Sequence, residues 1–168
     1  MKPLVVIAAV FIGVAASAQP QRAELTRSGF APVTVSIPAT PNEKLAELTR
    51  NWAMETYQRG GYDITGVTGN LLTVSAREDG AFFYRNKGEG FDHDIRYNME
   101  LSFAENSYTA TFTISEIYAN DVRIEYNIPD YFTSAGTLKE DYEEVEPSLE
   151  NTVNRIIRSH YNFIINFR

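Results

Sequence analysis

An α+β domain built on an antiparallel sheet of about five to seven strands is the fold the sequence predicts, and three observations predict it. Two segments, "TPNEKLAELTRNWAMETYQRGG" near the start and "PSLENTVNRIIRSHYNFIINF" at the end, repeat apolar residues every three or four positions. Between them, residues 62–128 switch to a period of two. Within that stretch, Gly, Asn and Asp fall where hairpins need turns. The order is therefore strand, helix, antiparallel meander, helix.

The first strand is "APVTVSIPAT", in which Val33, Val35 and Ile37 alternate with Thr34 and Ser36 between Pro32 and Pro38. A helix follows. Thr40 and Glu43 form a Thr-x-x-Glu capping box, Pro41 suits the first turn, and Leu45, Leu48, Trp52 and Thr56 share one face, with Gly60-Gly61 as the stop. The meander reads as "YDITGV" and "NLLTVSA" around Thr68-Gly69-Asn70, then "AFFYRN" after an Asp79-Gly80 turn. "DIRYNMELSF" and "YTATFTISEIY" are joined by residues 104–107, and Asn120-Asp121 leads into "VRIEYNI". Beyond a loop at "PDYFTSAGT", Leu149, Val153, Ile156, Ile157, His160 and Ile164 define a second amphipathic helix with Pro147 at its start. Glu143, Glu144 and Glu146 sit where its positive dipole end favours them.

The opening "MKPLVVIAAVFIGVAASAQP" has one cation, an apolar run and an Ala-x-Ala ending, the layout of a secretory signal peptide cleaved after Ala18. About a dozen apolar residues are too few to span a bilayer, which needs roughly 20. The expected organisation is a signal peptide over 1–18, a flexible segment over 19–30 and a single domain over 31–168. The expected location is the periplasm or the exterior, with no transmembrane segment after cleavage.

Charge and composition exclude several functions. The chain has no cysteine, so disulfides, lipidation at an N-terminal Cys and Cys nucleophiles are out. Its net charge is -7, and losing Lys2 with the leader makes it -8, which repels phosphate backbones and argues against nucleic-acid partners. With only two histidines, His93 and His160, no metal site or cofactor is expected. The acidic run at residues 140–146 lacks the spacing of a calcium loop.

Asp92, His93 and Asp94 are the candidate catalytic residues, because carboxylate and imidazole together can hold a metal or pass a proton. Strand alternation opposes convergence: it puts His93 with Ile95, Tyr97, Met99, Leu101 and Phe103, and both aspartates on the other face beside Arg96, a ready ion-pair partner. "GEG" at residues 88–90 reads as a flexible hairpin connection. His160, on the apolar face of the last helix, reads as a hydrogen-bonded core residue. Tyr84, Phe91, Tyr131 and Phe132 are the candidate partner contacts, since aromatic rings near loops offer much area at low entropic cost. Tyr131 and Phe132 alternatively cover the sheet before the last helix.

The early helix "KLAELTRNWAMETY", the following "ITGVTGN" and the paired runs "IRYNMELSFAENSYTATFTISEI" carry a resemblance. Over about residues 31–165 the chain resembles an uncharacterised family of secreted domains, mostly from Bacteroidetes, with a TATA-box-binding-protein-like (TBP-like) fold. The resemblance implies a curved sheet with both helices on one face and the other face free. It supplies no catalytic residues. The expected function is an exported, non-enzymatic binding module for a protein, peptide or envelope component. The alternatives are a small hydrolase or metal-assisted enzyme using residues 92–94, and a structural component of an envelope complex.

Overall fold

The computed structural model describes residues 19–58 and 61–167, the side chain of Val67 apart; the expected leader over 1–18 and Gly60 of the expected helix stop lie outside them. In chain order the elements are β1 (Leu25–Thr26), β2 (Gly29–Phe30), β3 (Val33–Ser36), α1 (Asn42–Thr56), β4 (Tyr62–Thr68), β5 (Leu71–Asn86), β6 (Glu89–Ala104), β7 (Ser107–Ala119), β8 (Val122–Ile124), a 3-10 turn (Ile128–Tyr131) and α2 (Val145–Phe167). Strands β3 to β8 form one antiparallel sheet in the order β3-β7-β6-β5-β4, with β8 also on β7, and β1 and β2 form a separate hairpin.

The period-two pattern sorts side chains as alternation requires. Val74, Ala76, Ile95, Tyr97, Met99, Leu101, Ala110 and Phe112 are buried, and both helices pack over this face. Leu45, Leu48, Thr49, Trp52 and Ala53 of α1, and Leu149, Val153, Ile156, His160 and Ile164 of α2, complete the core. Thr56, expected on the buried face of α1, is exposed, and Thr49 takes that role.

Several local expectations are corrected. Asp79-Gly80 is not a turn between strands: β5 runs through it, and the ladder to β6 slips between Glu78 and Phe82. The flanking runs both pair with the same long partner, so turn-forming residues become a bulge. Gly80 takes φ +58°, and its N–H donates to Asp94 Oδ1 at 2.8 Å. The connection at residues 88–90 is equally tight, because Asn86 pairs with Glu89 and leaves Lys87 and Gly88 as a two-residue turn, both at positive φ.

The Thr40 capping box does not form. Thr40 N–H bonds Glu105 O at 3.1 Å and its hydroxyl donates to Pro38 O at 2.8 Å, so the residue is held outside α1 and Pro41 stands at the cap position. The strand expected through Ile128 ends at Ile124, and Pro129 lies in the 3-10 turn, where Asn127 N–H bonds Asp130 Oδ2 at 2.7 Å.

The segment 19–30, expected to be flexible, is built into the fold. Asn154 of α2 accepts from Ala23 N–H at 2.8 Å and donates to Ala23 O at 2.9 Å, as a neighbouring strand would. Glu150 accepts from Leu25 N–H at 2.9 Å and pairs with Arg22 at 3.1 Å. Ala23, Leu25 and Phe30 are buried, which stabilises the docked segment. Along the part of β5 beyond β4, Phe83 N–H donates to Ser148 Oγ and Arg85 N–H to Glu144 Oε2, both at 3.3 Å, so the start of α2 and the residue before it seal a strand edge that β4 does not reach.

Candidate functional site

Residues 92–94 are extended within β6: His93 pairs with Phe82, Asp92 with Phe83, and Asp94 with Tyr118. The three side chains do not converge. Asp92 is exposed, and Asp94 on the same face is engaged by Arg77 Nη2 at 2.6 Å and by Gly80 N–H. Arg96 is not the partner of either aspartate; it pairs with Glu116 at 3.2 Å. The reason is geometric, because directly opposed residues on adjacent strands lie closer than residues two apart on one strand. Among the described residues, no group of three His, Asp or Glu side chains is placed to hold a metal ion.

His93 is buried on the helix-covered face, between rings. It stacks on Phe82 at 4.8 Å and on Tyr84 at 5.2 Å, and Tyr84 stacks on Phe91 at 5.3 Å. Cross-strand pairs and one diagonal thus make a continuous four-ring ladder, Phe82, His93, Tyr84, Phe91. Its Nδ1–H donates to Phe91 O at 3.1 Å. Burial pushes the imidazole below its ordinary range, against the opposing pull of that bond and of Asp92 and Asp94. Held neutral by burial and sandwiched between rings, this histidine packs as part of the core.

A second layer of tyrosines closes over the ladder from the 126–142 segment. Tyr131 meets Phe82 edge-on at 5.7 Å and Tyr142 at 5.1 Å; Tyr142 meets Tyr84 at 4.8 Å, and Tyr126 lies 5.7 Å from Tyr131. Tyr131 and Phe132 are buried, so these two cover the sheet. Burial raises the phenol of Tyr84, with a further push from Tyr126; burial likewise raises those of Tyr131 and Tyr142, and the neighbouring phenols add to the effect. The cluster reaches the surface at Phe91, the outer ring of the ladder and 39% exposed, and at Tyr126 of the covering layer, 47% exposed.

Of the four aromatic residues named as candidate contacts, Tyr84, Phe91 and Tyr131 lie in one cluster and Phe132 is buried, whereas Tyr126 and Tyr142 were not among them. Tyr126 looked like the buried face of a strand that ends earlier. Tyr142 lay inside an acidic run, where its aromatic spacing from Tyr131 was the available signal.

The other sheet face is polar. Thr34, Thr73, Ser75, Asn98, Glu100, Ser102, Thr109, Thr111 and Thr113 project from it, with Thr34 and Thr109 hydroxyls 3.4 Å apart and Ser75 donating to Asn98 at 2.5 Å. At one end Arg77 joins Asp94, Asp79 at 3.2 Å and Asp121 at 2.5 Å, and lies over the Tyr118 ring. Three carboxylates around one guanidinium lock the bulge to the β7–β8 turn, which is a structural arrangement.

No family model matches the chain, and no curated protein matches it. Solved structures do. A TBP-like protein from Parabacteroides distasonis ATCC 8503 aligns with a TM-score of 0.56 at 16% identity, over 79% of this chain and 90% of that one. The fold is TBP-like. A DUF4468 family protein from Bacteroides ovatus ATCC 8483 aligns with a TM-score of 0.53 at 8% identity, over 80% of this chain and 82% of its own. At these identities the likeness is one of fold, and the TBP-like architecture seen here, a six-stranded antiparallel sheet with two helices, fulfils the α+β expectation. No helix among the described residues is long and apolar enough to cross a membrane.

Proposed function

We propose that the protein is an exported, non-enzymatic interaction module that engages a protein of the bacterial envelope through the outer end of its aromatic ladder. The observation that carries this reading is the exposure of Phe91 and Tyr126 at the ends of rings whose inner members are fixed in the core. Aromatic anchors held rigid before binding lose little conformational entropy on contact, which is the property of interface hot spots. The separation of Asp92, His93 and Asp94 favours binding over hydrolysis. Export is supported by the leader layout over residues 1–18.

A photo-crosslinking residue placed at Phe91, with a second at Ser102 on the polar face as control, tests the reading in the producing bacterium. A discrete adduct from position 91 alone, on a protein whose recovered N-terminus is Gln19, is the expected result. Equal adducts from both positions, or none from position 91, overturn the contact; a retained Met1 overturns export.

A further inference from the structure

Asn151, Asn154 and Arg158 follow one another at three- and four-residue steps along one face of α2, and the segment 19–22 lies beside that face. Between them is a cavity of about 220 Å³, whose remaining lining is Gln19, Pro20, Gln21, Arg22 and Ile157. Its outer wall is fixed where Asn154 brackets Ala23 and Glu150 holds Arg22 and Leu25. No carboxylate lines the cavity, in a chain whose net charge is -7. Arg22 is neutralised by Glu150, but Arg158 is exposed and has no acidic partner among the described residues. One uncompensated positive charge therefore lines the cavity.

We propose that this cavity binds an acidic sugar, its carboxylate on Arg158 and its ring against Pro20 and Ile157. The charge selects a monoanion, because only one of the two guanidinium groups lacks a counter-ion, and a guanidinium takes a carboxylate through two parallel N–H donors. The amides select hydroxyls. Gln19, Gln21 and Asn151 have no side-chain hydrogen-bond partner among the described residues, and an amide both donates and accepts, as neighbouring sugar hydroxyls do. Asn154 is committed to Ala23 and to Glu150 O, so it serves as wall. Pro20 and Ile157 supply apolar surface for the C–H face of a pyranose, and the volume suits one such ring with its substituents. This site goes beyond the aromatic contact and shares no residue with it.

The probe is methyl glucuronide titrated into the full protein, with calorimetry and amide NMR shifts as readouts. Saturable binding is expected with a dissociation constant of about 1 mM, the range of a ligand of about a dozen heavy atoms, and with shifts confined to residues 19–23 and 151–158. Methyl glucoside, which lacks only the carboxylate, and acetate, which lacks the ring, should each bind at least about tenfold more weakly. Arg158→Gln should weaken glucuronide binding by about the same factor, and Arg158→Lys, which keeps the charge without the fork, should restore only part of it. Both variants should unfold at the wild-type temperature, since Arg158 is exposed and unpaired, and Phe91→Ala should leave binding unchanged. Equal affinity for glucoside or acetate, an unchanged constant in Arg158→Gln, shifts elsewhere or a titration that does not saturate overturns the proposal.

Discussion

His160 provides a quantitative test of the core. Its ring lies buried between α1, α2 and the sheet, edge-on to Trp52 at 5.1 Å and to Tyr108 at 5.0 Å. Thr49 gives its hydroxyl hydrogen to Leu45 O at 2.8 Å, so its oxygen accepts from His160 Nε2–H at 3.0 Å. Nδ1 is then left to accept from Tyr108 O–H, also at 3.0 Å. Both ring nitrogens are satisfied in one neutral tautomer, and protonating Nδ1 would break the Tyr108 bond. Burial accordingly lowers the imidazole from 6.5 to about 3. Because the folded value lies below the unfolded one, this contribution is fully present above about pH 6.5 and is lost as the pH falls toward 3. The slope reaches about 1.4 kcal/mol per pH unit once the unfolded histidine is charged, so roughly 2.7 kcal/mol disappears between pH 7.5 and 4.5. His93 adds to the slope with the same sign, which is why the assay compares urea unfolding of the wild type with that of His160→Gln across this range. The variant should be less stable by about 1–3 kcal/mol at pH 7.5, since the Tyr108 and Thr49 partners are disturbed. The gap should close by about 2–3 kcal/mol at pH 4.5. Parallel curves from pH 7.5 to 4.5, or an NMR titration of His160 near 6.5, would refute the reasoning.

Other outcomes follow from the same structure. Gly80→Ala forces a side chain into φ +58° at the bulge and should cost about 1–2 kcal/mol by thermal unfolding, with no clash, since a Cβ there meets open space. Phe82→Ala removes the inner, fully buried ring of the ladder and should cost about 3–5 kcal/mol, whereas Phe91→Ala at the outer end should cost under about 1 kcal/mol. Asn154→Ala deletes both bonds to Ala23, and hydrogen exchange should then accelerate at Ala23 and Leu25 while the amides of β6 keep their protection.

The fold was legible because most of its elements obey one local period. β6 alternates without a break from His93 to Phe103, and α2 keeps its three- and four-residue steps from Leu149 to Ile164. What sequence could not reveal was decided by partners far along the chain. Asp79-Gly80 has the chemistry of a turn, and only the presence of β6 opposite both flanking runs makes it a bulge. Ala23 and Leu25 form too short an alternation to predict a strand, and it is Glu150 and Asn154, more than a hundred residues later, that hold them. The split of residues 92–94 was readable from alternation alone; the partner of Arg96 was not, because Glu116 reaches it only through the register of β6 with β7.

The seal that Ser148 and Glu144 place on β5 has a consequence for how the chain folds. The β5–β6 ribbon is complete in sequence by Ala104, but the residues that satisfy Phe83 and Arg85 come some forty residues later. Until the C-terminal helix docks, the distal edge of this ribbon is an open template for another molecule's backbone. Truncation or delayed docking of that helix should therefore reveal itself first as concentration-dependent association during refolding, before any loss of secondary structure, and Ser148 and Glu144 act as guards against self-recognition.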